Sequence, residues 1–125
     1  MAELHGATYK LFLSGSTNGR QIKVAATGTP GTVLHTTSTT KSHKDEVWLY
    51  AHNTNATAVT LTIEWGGVTS PDDLMITILP GSSGIVAVVP GLLLNSGLVI
   101  RAFASVANKV NIVGYVARGV RASTL

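Results

Sequence analysis

Residues 45–66, DEVWLYAHNTNATAVTLTIEWG, decide the fold class, because they contain two alternating runs around a short polar turn. In the second run the apolar side chains occupy every other position from 59 to 65, with threonine and glutamate between them. A period of two is the pattern of a half-buried β-strand. The first run is apolar on both faces, so its second row, with Trp48 and Tyr50, is expected to meet another layer or another subunit. The stretch therefore predicts a β-hairpin within an all-β protein.

Short β-rich runs continue on both sides of this stretch, and each is bounded by Gly, Pro, Asn, Asp or Ser. The runs are 32–36, 46–53, 58–65, 74–79, 84–89, 98–105 and 109–117. None keeps the three-to-four spacing of a helix for ten residues, and β-branched residues are frequent in all of them. We predict a single-domain antiparallel β-sandwich, jelly-roll-like, with about seven to nine strands and very little helix.

The first part of the chain differs in character from the rest. We divide the chain into N-terminal strands or an arm at 1–30 and a β-sandwich domain at 31–125. The segments TYKLFLSG and RQIKVAATG either add two strands to the same sandwich or form an arm that adds a strand to a neighbouring subunit. Farther along, the pair Pro90-Gly91 is interpreted as a turn after the run that ends at residue 89.

The composition limits the classes of function. Charged residues make up 12% of the chain, about half the usual share, and the formal net charge is +3. So sparsely charged a surface predicts that partners cover much of it. The basic residues are spread along the chain and the aromatic residues lie in strand patterns, so direct binding of nucleic acid is not expected. No apolar run approaches the ~20 residues that span a membrane, and we expect no membrane association and no signal peptide.

The chain offers little catalytic or metal-binding chemistry. It contains no cysteine, which excludes disulfides and thiolate metal sites. Its four histidines match no ligand spacing, so we expect them to be scattered over the surface. The acids Glu64, Asp72 and Asp73 lack the density of a calcium loop. Asp45 and Glu46 begin a strand, where charged residues are usually solvated. We therefore predict no catalytic residue, no metal and no cofactor, and a protein that is not an enzyme.

Aromatic and basic side chains are the candidates for partner contacts. The first run is aromatic, Arg101 is the one charge of an otherwise apolar run, and two further arginines lie near the end of the chain. We therefore predict partner contacts for Trp48, Tyr50, Arg101, Arg118 and Arg121. If Trp48, Tyr50 and Trp65 converged on one surface, they would form the stacking platform of a carbohydrate-binding module. The alternative for the tryptophans is one in the core and one at an interface or edge.

Three segments together resemble the small all-β virion structural proteins of tailed bacteriophages. They are DEVWLYAHNTNATAVTLTIEWGG, LPGSSGIVAVVPGLLLNSGLVIRAFAS and NKVNIVGYVARG. The shared motifs are an N-T-N turn at 53–55, a Pro-Gly turn at 80–81, G-L-x-L-N-x-G at 91–97, and a closing strand with the pattern hydrophobic-x-G-Y-V at 112–116. The resemblance covers roughly 31–119, and its motifs mark a scaffold, so no functional residue is carried over from it.

Within that group, the resemblance implies a capsid decoration (cement) protein that bridges and stabilises major capsid proteins. The small size favours decoration, and a homo-oligomer is expected, with a homotrimer favoured. The protein would be made in the host cytoplasm and would reside at the capsid surface of the virion. The alternatives are a component of the tail, neck or fibre, and a carbohydrate-binding module.

Overall fold

The computed structural model describes residues 7–73 and 75–120, and within these ranges the chain forms nine strands and no helix. The strands are β1 (Ala7–Phe12), β2 (Ile22–Lys23), β3 (Thr32–Thr36), β4 (His43–Asn53), β5 (Val59–Trp65), β6 (Met75–Leu79), β7 (Ile85–Leu94), β8 (Val99–Ala104) and β9 (Val110–Val120). The prediction of an all-β protein is confirmed.

The strands form two antiparallel sheets. The first sheet has the order β1-β9-β4-β7, with β2 also paired to β9, and the second has the order β3-β8-β5-β6. The pairings are nested: β1 and β2 pair with β9, β3 with β8, β4 with β7 and β5 with β6. This is the arrangement that results when one long antiparallel hairpin is rolled up into two sheets. The predicted jelly-roll-like sandwich is therefore confirmed.

The N-terminal segment takes part in the first sheet. β1 runs beside β9 from Ala7, opposite Val120, to Phe12, opposite Tyr115. β2 pairs farther along the same strand, with Ile22 opposite Ile112. In the described part of the chain, this segment therefore contributes strands to its own sandwich, while 1–6 lie outside the described residues.

The predicted hairpin at 45–66 is wrong in its pairing, although both strands exist. β4 pairs with β7 and β9 in the first sheet, whereas β5 pairs with β6 and β8 in the second. The turn between them therefore carries the chain from one sheet to the other. Buried Asn53 holds this crossing, because its Nδ2 donates to the carbonyl oxygens of Thr57, Leu79 and Pro80 at 3.1, 3.3 and 2.9 Å. Its Oδ1 accepts from the backbone N–H of Asn55 at 2.9 Å.

The predicted turn at Pro90-Gly91 is also wrong, because β7 continues through it to Leu94. The register passes from Leu92 opposite Val47 to Pro90 opposite Trp48, which leaves Gly91 as the extra residue of a β-bulge. Gly91 has a φ of +82°, a conformation that glycine adopts without steric cost. The bulge lets a proline lie within an edge strand and still keeps the strand paired.

The core lies between the two sheets and follows the alternation seen in the sequence. In β4 the odd-numbered residues from Asp45 to Asn53 point inward and are buried, while the even-numbered residues from Glu46 to His52 lie half-buried on the outer face. The buried apolar residues of the core are Leu13, Ile22, Val24, Leu34, Val47, Leu49, Ala51, Val59, Leu61, Ile63, Leu79, Val89, Ile100, Ala102, Ala104, Val110, Ile112 and Val116.

Candidate partner-contact surface

A row of aromatic residues crosses the outer face of the first sheet. Phe12 of β1 lies opposite Tyr115 of β9, which lies opposite Trp48 of β4, and Trp48 in turn lies opposite Pro90 of β7. Directly opposed residues of antiparallel strands share one face of the sheet. We call Phe12, Tyr115 and Trp48 the aromatic row.

The rings of the aromatic row pack against one another and against neighbouring side chains. The rings of Trp48 and Tyr115 are stacked, with centroids 6.0 Å apart and planes 11° from parallel. The Nζ of Lys10 lies over the ring of Tyr115, 5.5 Å from its centroid. Trp48 Nε1 donates to Glu46 Oε1 at 2.9 Å. Tyr115 therefore contacts both an indole and a cation, an arrangement that stabilises all three side chains.

Phe12 is the part of the row that is most available to a partner. Its side chain is 62% exposed, whereas Tyr115 and Trp48 are half-buried. A cleft of about 420 Å³ is lined by Lys10, Leu11, Phe12 and Tyr115 at the β1 edge of the sheet. An apolar cleft beside one cation is suited to an apolar or aromatic side chain of another protein.

The structure brings together the two aromatic residues predicted as partner contacts and separates Trp65 from them. Trp48 and Tyr50 lie on the same outer face, with Tyr50 opposite Val113. Trp65 lies on the inner side of the second sheet, opposite Ile100, and packs against the core. The set Trp48, Tyr50 and Trp65 thus does not converge on one surface. Of the alternative of one core tryptophan and one interface or edge tryptophan, Trp65 takes the core position, whereas Trp48 lies on the outer face of β4, which is not an edge strand.

The predicted contact residue Arg101 lies on the opposite side of the sandwich from the aromatic row. It belongs to β8 in the second sheet and lies opposite Glu64 on one side and Val33 on the other. It also lines a shallow cleft of about 260 Å³ together with Gly66 and Leu98. Arg121, also predicted as a partner contact, lies outside the described residues.

Arg118 forms part of a buried cluster that the sequence does not reveal. Its Nε and one terminal nitrogen donate to the two carboxylate oxygens of Asp45 at 2.6 and 2.9 Å. His35 Nε2 lies 2.9 Å from Asp45 Oδ2, and the backbone N–H of Ser14 donates to His35 Nδ1 at 3.0 Å. Because Nδ1 accepts that hydrogen bond, the ring proton is on Nε2 and is donated to Asp45. This buried cluster joins β4 and β9 of the first sheet to β3 of the second.

The cluster fixes the charge states of its members. Burial lowers the pKa of His35, and this outweighs the opposing effect of the neighbouring carboxylate. Burial alone would raise the pKa of Asp45, but the hydrogen bonds from Arg118 and His35 together bring that pKa below its ordinary value. The hydrogen bond to Asp45 raises the pKa of Arg118. The cluster is therefore a neutral imidazole, a carboxylate and a guanidinium.

The expectations of a solvated Asp45 and of a surface histidine at position 35 are wrong. Both residues are 1% exposed. The alternation of β4 contains the signal for Asp45, because its position has the parity of Val47 and Leu49, which face the core. No local signal indicates the pairing with Arg118, since the two residues are separated by 73 positions in the chain.

Glu64, one of the acids considered for calcium binding, forms hydrogen bonds within the chain. The Oε1 of buried Glu64 accepts from the backbone N–H of Gly31 at 2.6 Å, and its Oε2 accepts from the hydroxyl of Thr29. Glu64 therefore holds the segment before β3 against the second sheet. Across 7–73 and 75–120, no group of three or more His, Cys, Asp or Glu residues is placed to hold a metal ion.

Comparison with known proteins gives no relative from which a function can be transferred. No protein-family model matches the chain, and neither a curated protein nor a solved structure matches it significantly. Among the described residues, no helix has the length and apolar character needed to cross a membrane. The description of the fold therefore rests on the strand order and register given above.

Proposed function

We propose that this protein is a non-enzymatic structural protein of a tailed-bacteriophage virion, and specifically a capsid decoration (cement) protein that contacts major capsid proteins. The observation that carries the proposal is the aromatic row beside an apolar, cation-flanked cleft at a sheet edge. In this proposal the protein is made in the host cytoplasm and is located at the capsid surface.

The residues of the virion-protein resemblance are placed as scaffold elements. The N-T-N motif is part of the crossing between the two sheets, and Pro80-Gly81 lies between β6 and β7. The motif at 91–97 contains the end of β7 and the turn before β8, while 112–116 form the middle of β9. The motifs thus form parts of the sandwich framework, and the contact surface has to be argued from its own geometry.

The aromatic row favours a protein partner over a sugar. A sugar stacks on an open ring face, whereas the ring of Tyr115 is already stacked with Trp48 and has Lys10 Nζ over it. The indole N–H of Trp48 is occupied by Glu46. What the surface offers is the exposed ring of Phe12 and an apolar cleft, which are the features of an anchor site for a protein side chain. We therefore prefer the decoration role to that of a carbohydrate-binding module.

The sandwich places candidate contacts on two opposite faces. The aromatic row lies on the outer face of the first sheet and Arg101 on that of the second. A rigid protein with contacts on two faces can bridge neighbouring capsid proteins, and repetition over the shell adds avidity to individually modest contacts. Bridging would then oppose separation of the capsid proteins under the pressure of packaged DNA.

The test is co-sedimentation of the purified protein with empty expanded capsids of the phage that encodes it. We expect saturable binding that Phe12→Ala weakens about tenfold or more, as for a central interface residue. The matched control is Tyr9→Ala, since Tyr9 is 54% exposed on the same strand but lies opposite Arg118, on the other face. Binding that Phe12→Ala leaves unchanged would contradict the contact surface.

The same experiment separates the alternatives. A protein that ignores capsids but co-purifies with isolated tails in a ring would be a tail, neck or fibre component. A protein retained by immobilised glycans, with retention lost on Phe12→Ala, would be a carbohydrate-binding module. The predicted homotrimer is checked by the stoichiometry of saturated capsids.

A further inference from the structure

One side of the sandwich is formed by two edge strands without a charged residue. β7 is the last strand of the first sheet, next to β4, and β6 is the last strand of the second sheet, next to β5. The two edge strands, β6 and β7, lie within the segment 74–100, which contains no Asp, Glu, Lys or Arg. Exposed edges in natural proteins usually carry charges, bulges or proline, which prevent pairing with other chains.

The two edges differ in how they are protected. β7 contains Pro90 and two register shifts against β4, so its edge is irregular. β6 pairs with β5 without any shift from Met75 to Leu79. Its outer face carries Ile76 and Ile78, which are 58% and 70% exposed. β6 is therefore a short, regular edge with exposed apolar side chains.

The chain covers an edge on the other side of the sandwich with its own residues. β3 is the opposite end of the second sheet. There the backbone N–H of Gly15 donates to the carbonyl oxygen of Leu34 at 2.9 Å, and that of Thr36 donates to Ser14 Oγ at 2.7 Å. The segment after β1 thus closes the β3 edge, while in the described structure β6 has only β5 as a neighbouring strand.

We propose that β6 pairs antiparallel with β6 of a second copy of this chain, about a two-fold axis at Thr77. In this register Ile76 lies opposite the partner's Ile78, and Ile78 lies opposite the partner's Ile76. The two second sheets then form one continuous sheet, a form of β-augmentation. The same patch serves on both copies, as a two-fold interface requires.

A second copy fits this edge better than an unrelated charged surface does. Directly opposed apolar β-branched residues stabilise an antiparallel pair, and the Thr77 axis forms two such isoleucine pairs at once. A partner strand that placed a charge opposite Ile76 or Ile78 would find no counter-charge within β6, which is uncharged from Met75 to Leu79. The inference depends on β6 alone and not on the proposed virion role, so either can fail without the other. It replaces the homotrimer favoured by the resemblance with a two-fold pair, and the mass of the protein in solution decides between the two.

Light scattering after size-exclusion chromatography tests the pairing. We expect the wild-type protein to have twice the mass of the chain, and Ile78→Glu to halve that mass. The matched control is Val33→Glu, an exposed apolar residue on the outer face of the same sheet but at the opposite edge, next to Arg101. It should keep the doubled mass. A wild-type monomer, a trimer, or a dimer that Ile78→Glu leaves intact would overturn the proposal.

Cross-linking tests the register without relying on a destabilising change. The chain has no cysteine, so a single introduced thiol can pair only with the thiol of another copy. On the axis, Thr77→Cys brings two thiols to directly opposed positions, within reach of a disulfide. We expect mild oxidation to convert Thr77→Cys to a covalent dimer and to leave Ile76→Cys monomeric under denaturing conditions. Equal cross-linking of the two variants would overturn the register.

Discussion

Asp45 receives hydrogen bonds from both sheets of the sandwich. Arg118, in the neighbouring strand, binds both of its carboxylate oxygens, and His35 reaches Oδ2 from the second sheet. Breaking a buried ion pair costs more than the pair contributes, because the remaining partner stays buried without compensation. The charge of Asp45 is thus needed where an apolar residue would ordinarily lie.

Asp45→Asn should destabilise the protein by about 3 kcal/mol, the lower end for buried pairs. The amide N–H of the new side chain would face an N–H of Arg118 or His35, so neither could find an acceptor there. Arg118 would also lose its counter-charge, although its side chain is only 23% exposed. Urea denaturation followed by circular dichroism measures the change. The control is Asp72→Asn at an exposed position, which should change stability by less than about 0.5 kcal/mol. An equal loss in the two variants would contradict the role of the cluster.

At the scale of the element, the bulge in β7 is tied to the aromatic row. A Cβ on Gly91 would lie 2.7 Å from Trp48 Cζ2 and 3.0 Å from Cε2, so the indole packs where a side chain would be. The positive φ of Gly91 and the position of Trp48 are therefore parts of one arrangement.

Gly91→Ala should destabilise the protein by about 2–4 kcal/mol, because a left-handed alanine is strained and its methyl group displaces the indole. Gly28→Ala is the matched control, since a Cβ there meets no atom within 4 Å, and it should be within about 0.5 kcal/mol of the wild type. Thermal unfolding of the two variants makes the comparison. A Gly91→Ala protein as stable as Gly28→Ala would show that the indole moves aside without cost.

The sequence predicts the elements of this fold much better than their partners. The run at 32–36 coincides with β3, and the run at 58–65 differs from β5 by one residue. Alternation is a local signal, so it can locate a strand. β4 does not pair with β5 because β7 and β9 occupy its two sides, and these strands begin 32 and 57 residues after β4 ends, so no local pattern contains the pairing. The same limit applies to the candidate site, where Trp48 was predictable from its parity but its neighbours Phe12 and Tyr115 were not.

For the whole molecule, the buried cluster makes folding sensitive to acid. Burial holds the pKa of His35 below its ordinary value of 6.5. The hydrogen bonds that Asp45 accepts hold the pKa of Asp45 below its ordinary value of 3.8. A lowered pKa means that the unfolded chain binds a proton at a higher pH than the folded protein does. The contribution of His35 to stability is thus complete above about pH 6.5, and that of Asp45 above about pH 3.8. Each contribution is lost as the pH falls from that value towards the lower pKa of the group in the folded protein.

We therefore expect the melting temperature of the wild-type protein to fall as the pH drops below 6.5, and to fall again below 3.8. A single group contributes a slope of about 1.4 kcal/mol per pH unit between its unfolded and folded pKa values. His35→Gln should be less stable than the wild type at neutral pH, since it loses the imidazole between Ser14 and Asp45, but should lack the first decline. His52→Gln removes a half-buried histidine on the outer face of β4 and should keep that decline. If scanning calorimetry across this range shows the first decline unchanged in His35→Gln, the neutral buried imidazole does not govern the acid sensitivity of the sandwich.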